Sequence, residues 1–258
     1  QPRYWAAPSC NRYTSLQPER EGDNTPRMAL SIIGVDADDT LWHTETVFRL
    51  THKRFNELLS DFADEDALEA KLAAIERENM KTYGYGAKGF TLSMLQTALE
   101  VSGGNVSTKV IQELLSAGRE MMTHPIEPLP GVEEALKGLK ERGRLVLITK
   151  GDLFHQESKL AASGLGSHFS GVEIVSEKTP EIYTKAFARH GGSAETSLMT
   201  GNSVKSDILP MLAAGGYAAL VPYPLVWEHE RAEKPVGNPR YREIETLGGL
   251  PAWLDEIS

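Results

Sequence analysis

The chain has 258 residues, 36 of them acidic and 27 basic, for a formal net charge of −9. That balance disfavours a nucleic-acid partner, because a phosphate backbone demands a basic face, and with no block of like charge it reads as solubility. A single cysteine, Cys10, excludes an internal disulfide and multi-thiolate zinc sites, no apolar run reaches the ~20 residues that cross a bilayer, and a reducing, cytoplasmic setting is expected.

Residues 1–27 mix Pro2, Pro8, Pro18 and Pro26 with polar residues and are taken as a disordered extension or a remnant of expression. Met28 opens a cleaner pattern. Ser31 to Val35 is a short β-branched run of the kind that forms a strand buried on both faces. The next ninety or so residues carry helical periodicity instead. Phe48, His52, Phe55, Leu59 and Phe62 step by four and three, Leu68, Leu72 and Ile75 continue the pattern, and so do Leu92, Leu95 and Leu99 and then Val110, Ile111, Leu114 and Leu115. Glycines at 84, 86, 89, 103 and 104 punctuate them. This predicts an inserted bundle of about four helices over residues 44–125.

Strand-like runs return at Leu145–Ile148, Val172–Val175, Ser197–Thr200 and Ala218–Val221. Helical segments alternate with them at Val132–Glu141, Gln156–Ser163, Glu181–His190 and Ser206–Ala214. The alternation predicts an α/β fold, a doubly wound parallel sheet formed by residues 28–43 and 126–258. Right-handed crossovers place the strand C-termini along one edge, where such sheets bind ligands.

The strongest chemical signal is Asp36-Ala37-Asp38-Asp39-Thr40-Leu41-Trp42 at the end of the first strand. Three crowded carboxylates repel one another, and an oxygen-loving cation such as magnesium offsets that cost. The plainer alternative is a turn whose Asp and Thr cap a helix.

With its Asp36-x-Asp38-x-Thr40 pattern the sequence resembles the haloacid dehalogenase superfamily, most of whose members are phosphatases. Three further motifs follow in order: Thr149 closing a strand, Lys178 before Thr179-Pro180-Glu181, and Gly201-Asn202-Ser203-Val204-Lys205-Ser206-Asp207. Leu129-Pro130-Gly131-Val132 and Ser163-Gly164-Leu165 fit the flanking pattern. Taken singly, Thr149 and Lys178 read as ordinary exposed residues and Asp207 as a helix cap; their order carries the match.

The resemblance implies a Rossmann-like core with a helical cap and an enzyme acting on a small phosphorylated metabolite. Asp36 is then the nucleophile, Asp38 the general acid and base, and Thr149 and Lys178 the partners of the phosphoryl oxygens, with Lys150 and Gly151 counted as substrate-binding. Magnesium is expected on Asp36, Asp38, Asn202 and Asp207; Asn202 departs from the commoner aspartate and contributes no charge. The turn Tyr83–Gly89 is either a substrate loop, with Lys88 meeting the anion, or a plain helix connection. Rival expectations are a 2-haloacid dehalogenase, for which an acidic Asp38 is superfluous, phosphoryl transfer between sugar positions, and a phosphate-binding module without turnover.

Overall fold

The apolar run after Leu30 becomes a strand, Ile32–Val35 (β1), with every residue buried, as a strand covered on both faces requires. The computed structural model describes residues 30–257, so the expectation for residues 1–27 lies outside the described residues. Five more strands follow: Arg144–Lys150 (β2), Gly171–Val175 (β3), Ser197–Gly201 (β4), Tyr217–Leu220 (β5) and Tyr241–Glu243 (β6). They form one sheet in the order β3-β2-β1-β4-β5-β6, every pairing parallel. The first five were expected. β6 escapes sequence reading because it is three residues long and largely solvent-facing, with no apolar run to announce it.

Side-chain alternation sorts the sheet into two cores. Ile33, Val35, Leu145 and Leu147 pack on one face against Leu136 and Leu139 of the helix Val132–Lys140 and against Trp253. Ile32, Val146, Ile148 and Met199 pack on the other against Tyr183 and Phe187 of the helix Pro180–Arg189. Gly34 sits among the latter: a Cβ there would lie 2.9 Å from Met199 Sδ and 3.1 Å from Phe187 Cζ, so only glycine lets that helix come so close.

Between β1 and Val132 the chain forms four helices: Glu45–Leu59 (α1), Glu65–Tyr83 (α2), Ala87–Val101 (α3) and Thr108–Thr123 (α4). With Val132–Lys140 as α5, Leu153–Ser163 follows as α6, Pro180–Arg189 as α7, Leu209–Ala213 as α8 and Leu250–Ile257 as α9. Side chains cap several of them at the N-terminus: Asp64 on α2, Ser107 on α4, Asp152 on α6 and Thr179 on α7. α1–α4 enclose a separate cluster that includes Phe55, Leu59, Leu72, Phe90, Met94 and Leu114. The two ends of this insertion meet, since Trp42 bridges to Pro128 and Leu129 N donates to Leu41 O at 2.8 Å.

The buried face of α3 differs from the expected leucine stripe. Leu92 and Leu99 are 42% and 49% exposed, whereas Ala87, Gly89, Phe90, Ser93, Met94, Thr97 and Ala98 are buried. Small residues win because the helices approach closely: a Cβ on Gly118 of α4 would overlap Thr91, and one on Gly89 would lie 2.8 Å from Gly84 O. Phe62, read as the last residue of the α1 stripe, falls beyond that helix and is part-exposed. No helix among the described residues is long and apolar enough to cross a membrane.

Candidate active site

The register fixes where the chemistry gathers. Val35 lies opposite Leu147 of β2 and Thr200 of β4, and Asp36 N donates to Thr200 O at 2.9 Å. Asp36, Thr149 and Gly201 therefore leave three adjacent parallel strands at the same edge, where the winding changes direction. Beyond Asp36 the chain turns sharply through Asp39, whose φ of 59° is one Asp tolerates better than most residues. The carboxylate of Asp39 accepts from the Thr44 and Glu45 amides and anchors the start of α1.

Lys178 Nζ donates to Asp36 Oδ1 at 2.6 Å and to Asp207 Oδ1 at 2.7 Å, all three groups buried. One ammonium between two carboxylates leaves a negative charge uncompensated. Burial, opposed by Lys178 and aided by Asp207 and Asp38, pushes the Asp36 carboxyl up to about 7. Burial depresses the Lys178 ammonium, but Asp207 and Asp36 outweigh it and hold the group well above its ordinary value. Gly201 makes the meeting possible: a Cβ there would stand 2.2 Å from Asp207 Oδ2 and 2.8 Å from Asp36 Cβ.

Asp38 is held differently. Its Oδ1 accepts from Trp42 Nε1 at 2.9 Å, Thr44 Oγ1 at 2.7 Å and Lys159 Nζ, and its Oδ2 accepts from Gln156 Nε2 at 3.0 Å. Burial alone raises such a group, but Lys159 and the hydrogen bonds overcome it and lower Asp38 to about 2. Gln156 Nε2 also reaches Thr149 Oγ1 at 2.7 Å, so one amide ties the ends of β1 and β2 together. Lys150 Nζ donates to Ser206 Oγ at 2.8 Å and Glu230 Oε1 at 2.6 Å. Glu230 also accepts from Ser203 and Ser206.

These groups surround a cavity of about 170 Å³ walled on its other side by residues of α1, α2 and the loop to α3. Asp36, Asp38, Thr149, Lys150, Gly151, Lys178, Asn202 and Asp207 all line it. Lys88 does not: its ammonium is fixed to both Asp152 oxygens at 2.9 Å and lies over the Phe154 ring. That carboxylate, the cap of α6, itself lines the cavity, so Lys88 reaches the wall only through its pair with Asp152. Sequence reading missed Gln156, Lys159, Glu230 and Glu76. A lysine and a glutamine three apart on a helix beside the Thr149 strand were a faint signal for the first two; the glutamates had none.

Eight carboxylates line the cavity against three lysines. An anionic substrate entering such a wall needs a compensating cation. The donors at the strand ends are all oxygens, from Asp36, Asp207, the Asn202 amide and the Asp38 carbonyl, which suits a hard divalent ion. Among the described residues no trio of His, Cys, Asp or Glu side chains forms a metal site by itself, so a cation held here would draw on the amide and carbonyl oxygens as well.

A family model for haloacid dehalogenase-like hydrolases matches residues 30–215. The chain is 39% identical to a haloacid dehalogenase-like family hydrolase of known structure from Xanthomonas campestris, over 89% of this chain and 92% of that one, with a TM-score of 0.80. It shares its fold, at 18% identity and a TM-score of 0.62, with a 2-haloacid dehalogenase from Pseudomonas syringae, over 89% of this chain and 100% of that one. It is also 25% identical over 166 residues to the Homo sapiens N-acylneuraminate-9-phosphatase, a match that spans 61% of this chain and 64% of that protein.

Proposed function

Because the chain belongs to the haloacid dehalogenase-like hydrolase family, we propose that it is a magnesium-dependent phosphohydrolase of a small phosphorylated metabolite. The observation that carries this reading is Asp38, a second carboxylate lining the same cavity as Asp36. Expelling halide needs no proton, whereas expelling an alkoxide does, so an acid beside the nucleophile favours phosphate esters. The phosphatase named among the relatives supports the same reaction class.

Asp36 attacks phosphorus as the bond to the leaving oxygen breaks, giving an aspartyl-phosphate and an alcohol. Lys178 orients the nucleophile and faces the phosphoryl oxygens, with the Thr149 hydroxyl as a further donor. Asp38 handles the proton through Oδ2, since Oδ1 is taken by Lys159, Trp42 and Thr44. It protonates the leaving oxygen and then, as carboxylate, accepts a proton from the water that hydrolyses the intermediate. The resting site favours the carboxylate, so the first proton arrives with the substrate, whose monoester monoanion titrates near ~6. Magnesium bound by Asp36, Asn202, Asp207 and the Asp38 carbonyl supplies positive charge against the phosphoryl group. Helices α1–α4 act as a cap that keeps bulk water from the cavity.

The test is turnover of a phosphomonoester panel with magnesium and with chelator. Asp36→Asn abolishes turnover, and Asp38→Asn lowers it by roughly 100- to 10,000-fold. Chloride release from 2-chloropropionate, with no phosphate released from any ester, replaces this reading with dehalogenation.

A further inference from the structure

Glu76 lies on the buried face of α2 beside Ile75 and is 8% exposed, and it lines the cavity together with the groups at the strand ends. No described residue gives it a hydrogen bond or an ion pair. The charge that acts on it is a second carboxylate, Glu45, already matched to Arg49 at 3.3 Å. Among the described residues the three cavity lysines are committed elsewhere: Lys150 to Glu230, Lys159 to Asp38, and Lys178 to Asp36 and Asp207. A buried carboxylate without a partner is relieved either by taking up a proton or by a cation, and a ligand that carries the cation supplies the missing half.

The surrounding wall says which half is missing. Phe48, His52, Tyr85 and Trp227 share the cavity with Glu76, and Tyr85 meets Trp227 edge-on at 6.0 Å. Aromatic faces attract organic cations, and a carboxylate set among them pairs with an ammonium. A neutral hydroxyl would occupy one lone pair and leave the charge in place.

We infer that Glu76 is a specificity residue that binds an ammonium group on the leaving alcohol, so that the substrate class is the phosphomonoester of an amino alcohol. The inference rests on the phosphohydrolase reading for its chemistry, but the cation site itself is read by binding. Isothermal titration of n-propylammonium and n-propanol into the full chain compares wild type with Glu76→Gln and Glu76→Asp. Wild type binds the ammonium and not the alcohol, Gln weakens that binding by at least about tenfold, and Asp retains part of it. In turnover, kcat/KM for O-phosphoethanolamine exceeds that for ethyl phosphate by about tenfold or more, mainly through KM, and Glu76→Gln brings the ratio toward one. Ammonium binding that is absent or unchanged in the Gln variant overturns the inference, as does an ester ratio that Gln does not alter. Intact ammonium binding with no ester hydrolysed removes the phosphohydrolase reading instead and leaves the cation site.

Discussion

Replacing Glu76 by Gln keeps the shape of the side chain and removes its charge, so the variant isolates the cost of burying that charge. Burial, with Glu45 adding repulsion, raises the Glu76 carboxyl from an ordinary 4.5 to about 7. His52, on the same wall, is pushed down by burial, so it offers less positive charge in compensation. Because the folded state binds this proton more tightly than the unfolded chain does, stability is greatest below about pH 4.5 and falls as pH rises toward 7. The slope is about 1.4 kcal/mol per pH unit and the total about 3 kcal/mol, flat above about pH 7. Urea unfolding of wild type and Glu76→Gln at about pH 5, 6, 7 and 8, free of ligands, measures it. The Gln variant is the more stable by about 3 kcal/mol at pH 8, and the gap shrinks to under about 1 kcal/mol at pH 5. Stability curves that run parallel across this range refute the reasoning, because they mean that Glu76 is solvated and titrates normally.

Gly201→Ala places a Cβ 2.2 Å from Asp207 Oδ2; overpacking costs about 1–3 kcal/mol in urea unfolding, and displacing Asp207 lowers kcat/KM by about 100-fold. Lys159→Met removes the ammonium that helps hold Asp38 near 2, so the proton affinity of Asp38 rises and the acidic limb of the kcat/KM profile moves up by about one pH unit or more; an unmoved limb excludes Asp38 as the group it reports. Lys88→Ala leaves KM within about twofold, since Lys88 itself does not line the cavity and its pair with Asp152 is part-exposed, and a large rise in KM would return Lys88 to the site. Lys150→Ala strips Glu230 of its ammonium partner and costs more stability at pH 7 than Lys88→Ala, as a half-buried pair exceeds a rim pair; equal losses in urea unfolding contradict that ranking.

What could be read from the sequence was what the backbone dictates. Apolar runs locate β1, β2 and β4, parallel crossovers put their ends on one edge, and that alone brings Asp36, Thr149 and Gly201 together. Trp42, which ends the acidic motif, packs in the core at 1% exposure and reaches the site only by donating to Asp38. The α3 face misled because leucine count was taken for burial, when the close approach of α2 and α4 selects glycine, alanine and serine. Side-chain charge was less legible still. A lysine on a helix reads as solvated, and Lys159 is buried against Asp38.

The fourth motif shows why this matters for the chemistry. Asn202 supplies an amide where a carboxylate was the commoner expectation, so Asp207 is the carboxylate that this motif brings to the cavity. Glu230, arriving from the long loop after β5, accepts from Ser203 and Ser206 of the same turn, and Lys150 neutralises it. A further carboxylate at this edge of the sheet thus comes from a residue 28 positions downstream of Asn202 and is balanced by one next to Thr149. That pair and its bond to Ser206 tie Lys150 of β2 to the Val204–Ile208 turn, while Lys178 is the ammonium that sits directly against Asp36.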